Sequence, residues 1–218
     1  MKLSNGQKVI IILGPPGAGK GSQASLLAER LNLYYLETAK VLEEKFQKAK
    51  EGDFIAVNGK KYFMKDEKKL WSTGFLMSPP FVVYLLKERI KKLYKDGKGI
   101  VLAGSPRTLY EGEQEVPFLK KTYGVKNIKV ILLQISPKET IFRNSHRRIC
   151  ELTRHSILYS KENEKLRKCP LDGSKLTKRK GLDDPKTIKV RLREYRERTF
   201  PLIDYFQKQG LKVIKING

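Results

Sequence analysis

At 218 residues the chain is long enough to bury a sizeable core, as one domain with insertions or as one large and two small units. Its 46 lysines and arginines outnumber 23 aspartates and glutamates, giving a formal net charge of +23. The lysines are spread over the whole length and form no stripe with interleaved aromatics. Most are therefore expected to be solvated surface, and nucleic-acid binding remains the minority hypothesis.

No apolar stretch approaches the length of a membrane span, and residues 1–4 run almost directly into the first predicted strand, which argues against a signal peptide. The only two cysteines, Cys150 and Cys169, argue against a disulfide framework. We therefore expect a cytoplasmic protein without membrane contact, and a monomer.

The first predicted element is a strand at Val9–Leu13, whose five apolar residues in a row are typical of a strand buried on both faces. A glycine-rich turn follows at 14–22, and apolar residues recur at helical spacing over 23–31. Strand, glycine loop and helix together are the context of a phosphate-binding loop. The alternative is a glycine-rich turn without a ligand. It does not explain why the strand before the turn and the helix after it both fit the pattern of a phosphate-binding loop.

The chemistry of this loop fits a nucleotide phosphate. Its glycines let backbone N–H groups approach an oxyanion, and the helix that follows adds the partial positive charge of its N-terminus. Lys20 can reach the β- and γ-phosphates, while the loop hydroxyl stands at Ser22, one residue later than the usual pattern. The residues expected to contact the nucleotide are Gly17, Ala18, Gly19, Lys20, Gly21 and Ser22.

Further along, Asn58-Gly59 between two β-prone runs predicts a hairpin near 53–64. Pro117 is expected to kink or split the helix that contains it. Ser136, Pro137 and Glu139 mark a helix start. The other predicted elements are strands at 33–36, 100–103, 128–135 and 211–214, and helices at 39–50, 80–96, 109–122 and, opened by Asp184-Pro185, 185–206.

Strands that alternate with helices predict an α/β fold: a parallel β-sheet built on the phosphate loop, with helices on both faces in three layers. Two segments interrupt this alternation, 38–76 and 150–178. The expected core is therefore 1–37, 77–149 and 179–218. Because ligands bind at the carboxyl ends of such strands, the two insertions are expected to be mobile covers over one site.

Phosphoryl transfer needs fixed positive charge around the moving group. Arg143 and Arg147 are four residues apart and so share a helix face, Arg107 follows a strand, and Arg179 and Arg191 follow the second insertion. Any one of these could be a solvated surface charge in so basic a chain. Their placement at strand ends and insertion boundaries favours a site.

The loop at 14–22 and the segment Gly104-Ser105-Pro106-Arg107-Thr108 resemble the adenylate kinase family of nucleoside monophosphate kinases. The resemblance implies a core with a monophosphate-binding insertion at 38–76 and a lid at 150–178, ATP and a nucleoside monophosphate as substrates, and Mg²⁺ with the ATP. It implies that Arg107 holds the acceptor phosphate. The catalytic set that it implies is Lys20, Arg107, Arg143, Arg147, Arg179 and Arg191, with Arg143 and Thr38 also in the nucleotide-binding set.

The resemblance also implies a metal site in the lid. Relatives with a metal-bearing lid use two Cys-x2-Cys or Cys-x2-Asp pairs, and this chain has Cys150 with Thr153 and Cys169 with Asp172. Two thiolates and a carboxylate suit zinc in a structural role. Water or His155 could supply a fourth ligand, and a metal-free lid held by hydrogen bonds is the alternative.

The acceptor half departs from the family pattern. Lys40, Glu43 and Ala103 replace an aspartate, an arginine and a second aspartate, and the glutamine that reads the acceptor adenine falls near Glu111. Three hypotheses follow: a working nucleoside monophosphate kinase with AMP as the default acceptor, a nucleotide-binding relative with weak or no transfer, and a nucleic-acid-associated P-loop protein. We prefer the first, because the arginines are hard to explain without a transferred phosphate.

Overall fold

A five-stranded parallel sheet forms the centre of the computed structural model, which describes residues 7–157, 159–179 and 181–218. The strands, in chain order, are β1 Val9–Leu13, β2 Tyr34–Glu37, β3 Phe54–Val57, β4 Lys60–Phe63, β5 Ile100–Ala103, β6 Ile128–Gln134, β7 Arg148–Cys150, β8 Ser156–Ile157, β9 Leu176–Thr177 and β10 Val213–Asn217. The central sheet has the order β10-β6-β1-β5-β2, so the first strand lies in its middle. Its central place explains why β1 is an unbroken apolar run.

Helices cover both faces of this sheet, which confirms the predicted α/β fold class. The helices are α1 Lys20–Arg30, α2 Thr38–Lys48, α3 Met64–Ser72, α4 Pro79–Lys95, α5 Leu109–Tyr123, α6 Pro137–His146, α7 Pro185–Glu194 and α8 Leu202–Lys208. Among the residues described here, no helix is long and apolar enough to cross a bilayer.

Alternation along the strands separates two apolar clusters. Ile11, Leu36 and Leu102 belong to the larger one, with α4, α5 and α8, while Val101 and Ala103 belong to the smaller one, with α1. Full burial of one such aliphatic side chain stabilises the fold by about 1.5–3 kcal/mol. Because α1 begins directly after the phosphate loop and packs on the smaller cluster, the loop leads onto that face of the sheet.

Two predicted helices can be compared with the structure. α5 is not split at Pro117 but continues through this exposed residue as one element. The long helix predicted over 185–206 is instead α7, a π-helical turn at Tyr195–Thr199 and α8, with Pro201 just before α8.

The first insertion has a hairpin of β3 and β4 where Asn58-Gly59 predicts one. Asn58 and Gly59 have positive φ values of 49° and 79°, as a two-residue type I′ turn between these strands requires. Both insertions also contain elements that the sequence did not reveal. The helix α3 follows this hairpin directly. In the second, β7 pairs with β8 and β9 in a small antiparallel sheet whose strands have only two or three residues, too short for a pattern of alternation.

Candidate active site

The loop between β1 and α1 has the backbone that a phosphate loop needs. Gly17 and Gly19 have φ values of 82° and 81°, which side chains rarely adopt. A Cβ atom on Gly17 would lie 2.6 Å from Asn144 Nδ2, so this position also has no room for one. Gly19 precedes Lys20, the first residue of α1, and the loop therefore brings the free N–H groups of a helix start to one point.

The ammonium group of Lys20 closes the loop. Its Nζ donates hydrogen bonds to the carbonyls of Gly14 at 2.7 Å and Pro15 at 2.8 Å. Burial lowers the pKa of Lys20 well below its ordinary value, and the positive charges of Arg107, Arg191 and Arg147 lower it further. This lysine is thus desolvated and lies in a strongly positive field.

A cavity of about 330 Å³ opens beside this loop at the carboxyl ends of the central strands. It brings together all six side chains of the predicted catalytic set. They are Lys20, Arg107, Arg143, Arg147, Arg179 and Arg191. These groups come from the phosphate loop, the end of β5, α6, the end of the second insertion and α7, so folding concentrates charges that are far apart in the chain.

The predicted nucleotide-binding residues divide into two groups. Gly17, Gly19, Gly21 and Ser22 line the cavity. Ala18 is buried in the smaller core cluster. Thr38 is also buried and is absent from the lining, and its hydroxyl has no hydrogen-bond partner among the described residues.

Mutual repulsion and burial act on the arginines together. Burial, followed by the charges of Arg179, Arg147 and Arg107, lowers the pKa of Arg191 to about 9. Burial also lowers the pKa values of Arg107 and Arg147, and in both cases Arg179 adds to the effect. Such a site gains from any polyanion, because the anion relieves a repulsion that the fold already contains.

Asp183 is the counter-charge of this cluster, and sequence reasoning missed it. Its carboxylate lies 3.8 Å from Nε of Arg147 and 3.8 Å from Nη1 of Arg191, and its side chain is only 1% exposed. Its neighbour Asp184 instead caps α7 by accepting a hydrogen bond from Thr187 N. The one indication in the sequence is that Asp183 is a second aspartate directly before Asp184, the cap of the helix.

Other contacts hold individual arginines in place. Glu139 accepts a 2.6 Å hydrogen bond from Arg143 Nε, and the carbonyl of Leu182 accepts one of 3.0 Å from Arg191 Nη1. Arg148, which the sequence places beside Arg147, instead donates hydrogen bonds to the carbonyls of Asn163 and Leu166 in the second insertion.

Two buried carboxyl groups accept hydrogen bonds from the segment that contains Arg107. Glu111 accepts a 2.6 Å hydrogen bond from Arg107 N, and the Ser105 hydroxyl lies 3.2 Å from Glu111 and 2.7 Å from Glu115. Burial raises the pKa of both carboxyl groups, and the charge of Glu111 raises that of Glu115 further. Glu111 does not line the cavity, although it falls at the sequence position of the base-reading glutamine.

Of the three other substituted positions of the acceptor half, two do not line the cavity and one does. Lys40 is largely exposed and pairs with Glu37 at 3.6 Å. Glu43 lies on α2 and does not line the cavity, whereas Ala103, at the end of β5, does.

The second insertion contains a group of potential metal ligands. The ligand atoms of Cys150, His155 and Cys169 lie within 4.8 Å of one another, and Asp172 Oδ2 lies 3.0 Å from Cys150 Sγ. Thr153 donates its hydroxyl to Cys150 Sγ at 3.0 Å. Burial favours the neutral thiol of Cys150, but hydrogen bonds from Ser174 and Thr153 outweigh it and lower the pKa.

Comparison with known proteins gives consistent matches. The family model for adenylate kinase matches residues 12–211. The adenylate kinase of Methanothrix thermoacetophila is 32% identical over 212 residues, 96% of this chain and 90% of that protein. That of Caldicellulosiruptor bescii is 33% identical over 209 residues, 94% and 89% of the two chains, and that of Archaeoglobus fulgidus is 32% identical over 207 residues, 93% and 87%. The matched region includes both insertions.

Proposed function

The chain belongs to the adenylate kinase family, and we propose that it transfers the γ-phosphoryl group of ATP reversibly to AMP or another nucleoside monophosphate, giving ADP and a nucleoside diphosphate. The observation that carries this proposal is the convergence of Lys20 and five arginines on one cavity beside the phosphate loop. A cation cluster of this size around one cavity suits the charge that phosphoryl transfer develops on its equatorial oxygens.

We assign each cationic residue of the cavity a role from its position. Lys20 and the N–H groups at the start of α1 would hold the β- and γ-phosphates of the donor. Arg107, in the loop between β5 and α5, would hold the acceptor phosphate in line with them. Arg143, Arg147, Arg179 and Arg191 would surround the moving group once the second insertion closes, and closure excludes water. Adenylate kinase lid closure is a known example of such gating. No covalent intermediate is needed.

Adenylate kinases use Mg²⁺ generally, and the cavity offers oxygen ligands of the kind this ion prefers. Ser22 lies in the first turn of α1 and lines the cavity, so its hydroxyl fits the role of the loop ligand. When bound, the ion neutralises charge on the β- and γ-phosphates.

We further propose a structural zinc site in the second insertion, held by Cys150, His155, Cys169 and Asp172. Soft sulfur and imidazole ligands with one carboxylate are a set that zinc accepts. His155 replaces Thr153 in this proposal, because its ring lies within reach of both thiols while Thr153 is a hydrogen-bond donor to Cys150.

Three further expectations stay predictions: the division into core, monophosphate cover and lid, the cytoplasmic location and the monomeric state.

A second candidate function is a nucleotide-binding relative with weak or no transfer. The observation in its favour is the acceptor half, where Glu43 and Glu111 do not line the cavity and Lys40 is directed to Glu37. These positions remove groups with which the family holds the acceptor, while the arginines remain.

A coupled assay of nucleoside diphosphate formation with ATP, Mg²⁺ and AMP, CMP, UMP or GMP in turn distinguishes the two functions. Turnover with at least one acceptor, AMP first, is the expected result and also identifies the base. Tight ATP binding with no turnover for any acceptor would contradict the kinase proposal and favour the binding relative.

A further inference from the structure

The cavity contains a carboxylate that the proposed mechanism does not use. Among the described residues that line it, only Glu37 and Glu194 are acidic. Glu194 is largely buried, and its Oε2 accepts a 3.0 Å hydrogen bond from Arg198 and a longer one from Leu76 N. Among the described residues, Glu37 forms one ion pair, with the exposed Lys40 at 3.6 Å, a contact worth little in water. It also lies near the Tyr35 hydroxyl, whose pKa burial raises and the charge of Glu37 raises further. Glu37 is therefore the acidic group open to a ligand.

A local structural role does not account for Glu37. It precedes α2 directly, where a carboxylate commonly caps the helix, but its side chain makes no capping hydrogen bond. Its partner Lys40 is 62% exposed, and the pair is three residues apart on one helical turn. Such a pair gives Glu37 no reason to face the cavity.

Sheet register places Glu37 beside the phosphate loop. In the parallel pairing of β2 with β5, Glu37 lies opposite Ala103, and both are the last residues of their strands. Tyr35 and Ala103 both pack in the smaller core cluster under α1, and the two-residue period puts Glu37 on the same face. The Tyr35 hydroxyl lies 3.2 Å from where a Cβ of Gly21 would stand, so this face of β2 borders the first turn of α1.

A carboxylate at this place has a specific use in phosphate-loop proteins. The ion that accompanies the nucleotide is held by the loop hydroxyl and by an acidic side chain from a neighbouring strand. Ser22 supplies the hydroxyl here, whereas Ala103, on the strand next to β1, has no oxygen to offer. Glu37 stands one strand further out in the same register and has a longer side chain.

We propose that Glu37 is the residue that anchors the hydrated Mg²⁺ of bound MgATP, in place of a carboxylate at position 103. The inference rests on the proposed function for the identity of the ligand. Mg²⁺ keeps several of its waters in protein sites and needs only one or two carboxylates, so a single glutamate at the strand end is sufficient.

The test measures metal binding and not activity. Mn²⁺ is titrated into the complex of the protein with a non-hydrolysable ATP analogue, and free Mn²⁺ is followed by its EPR signal. Glu37→Gln is expected to raise the Mn²⁺ dissociation constant by about 10- to 100-fold, as loss of an outer ligand does. Glu43→Gln, which removes a carboxylate outside the cavity, is the matched control and is expected to leave it unchanged.

A swap variant separates metal anchoring from a general effect on the fold. Glu37→Gln combined with Ala103→Asp moves the carboxylate to the neighbouring strand, and we expect it to recover most of the Mn²⁺ affinity. Affinity for the analogue in EDTA should not fall in Glu37→Gln, because the change removes a negative charge near the phosphates. Wild-type Mn²⁺ affinity in Glu37→Gln, or no recovery in the swap, would overturn the inference.

The two proposals fail in different ways. A wild-type protein that binds Mn²⁺ with the analogue through Glu37 but transfers no phosphoryl group keeps this inference and removes the proposed function. A protein that transfers phosphoryl groups but whose Mn²⁺ affinity does not depend on Glu37 keeps the proposed function and removes this inference.

Discussion

The carboxylate of Asp183 lies 3.8 Å from Nη1 of Arg191, and its side chain is almost completely buried, whereas that of Arg191 lines the cavity and is 21% exposed. The same carboxylate stands 3.8 Å from Arg147, so one negative charge serves two buried guanidinium groups. Neither of its oxygens has a hydrogen-bond partner among the residues that the structure describes. Asp183 therefore acts through charge, and it leaves the arginines free to bind an anion.

Asp183→Asn is expected to destabilise the free protein, because the arginines then repel each other without a counter-charge. We expect a loss of about 2 kcal/mol, below the full cost of breaking a buried ion pair since the contacts are long. In a chain of this size that is a fall in melting temperature of roughly 4–8 °C. Asp184→Asn is the control, since asparagine caps α7 equally well. Pyrophosphate should restore much of the loss in Asp183→Asn, and an unchanged melting temperature without it would contradict the argument.

Lys20→Met should abolish transfer and leave the fold intact. Loss of one preorganised cation at the transferred group costs about 100- to 1000-fold in kcat. The substitution removes two hydrogen bonds to loop carbonyls, but it also removes a desolvated charge that Arg107 and Arg191 repel, so the melting temperature is expected to change little. Coupled assays and thermal melts check both parts, with Lys91→Met, at an exposed position of α4, as control. Full activity in Lys20→Met would contradict the phosphate-loop assignment.

The sequence predicted the centre of the sheet well because β1 and β5 are unbroken apolar runs between clear turn signals. The last strand, predicted at 211–214, is instead β10 at Val213–Asn217, where a lysine interrupts the apolar run. β5 has the predicted bounds 100–103, and α5 begins at the predicted Leu109. The α3 helix was missed because its segment follows a hairpin directly and contains few apolar residues at helical spacing. The strands of the second insertion are held by pairing to each other and by hydrogen bonds from Arg148, which no local pattern reveals.

The candidate site was predictable where a residue follows a strand or a helix start. Arg107 was predicted because it follows a strand, Arg191 because it follows the second insertion and by the family resemblance, and both line the cavity. Asp183 was not found, because its role depends on two arginines that the fold brings to it. Glu37 was also missed, since only the register of β2 against β5 shows that it stands beside Ala103.

Glu115→Gln is expected to stabilise the protein at neutral and alkaline pH. Burial and the neighbouring Glu111 raise the pKa of Glu115, so the folded chain retains a proton that the unfolded chain loses above about pH 4.5. The wild-type free energy of unfolding therefore falls as pH rises from there towards the folded pKa. Melting temperatures of wild type and variant should converge near pH 4.5 and separate by several degrees at pH 8, about 2–4 °C per kcal/mol. Glu113→Gln, at an exposed position, is the control. A difference in melting temperature between wild type and Glu115→Gln that does not grow with pH would contradict a protonated Glu115 in the folded protein.

The zinc proposal predicts that the metal depends on His155 and not on Thr153. The ring of His155 has Nε2 3.6 Å from Cys169 Sγ and Nδ1 2.5 Å from the Thr153 hydroxyl, so small movements of the ring give a sulfur-and-nitrogen site. We expect about one zinc per chain by mass spectrometry, and a lower melting temperature after chelation. Substitution with Co²⁺ should give intense tetrahedral bands and a thiolate charge-transfer band. His155→Ala should release the metal to a chelator far faster than Thr153→Val. A zinc-free chain from zinc-supplemented medium that also gives no Co²⁺ bands would favour a lid held by hydrogen bonds alone.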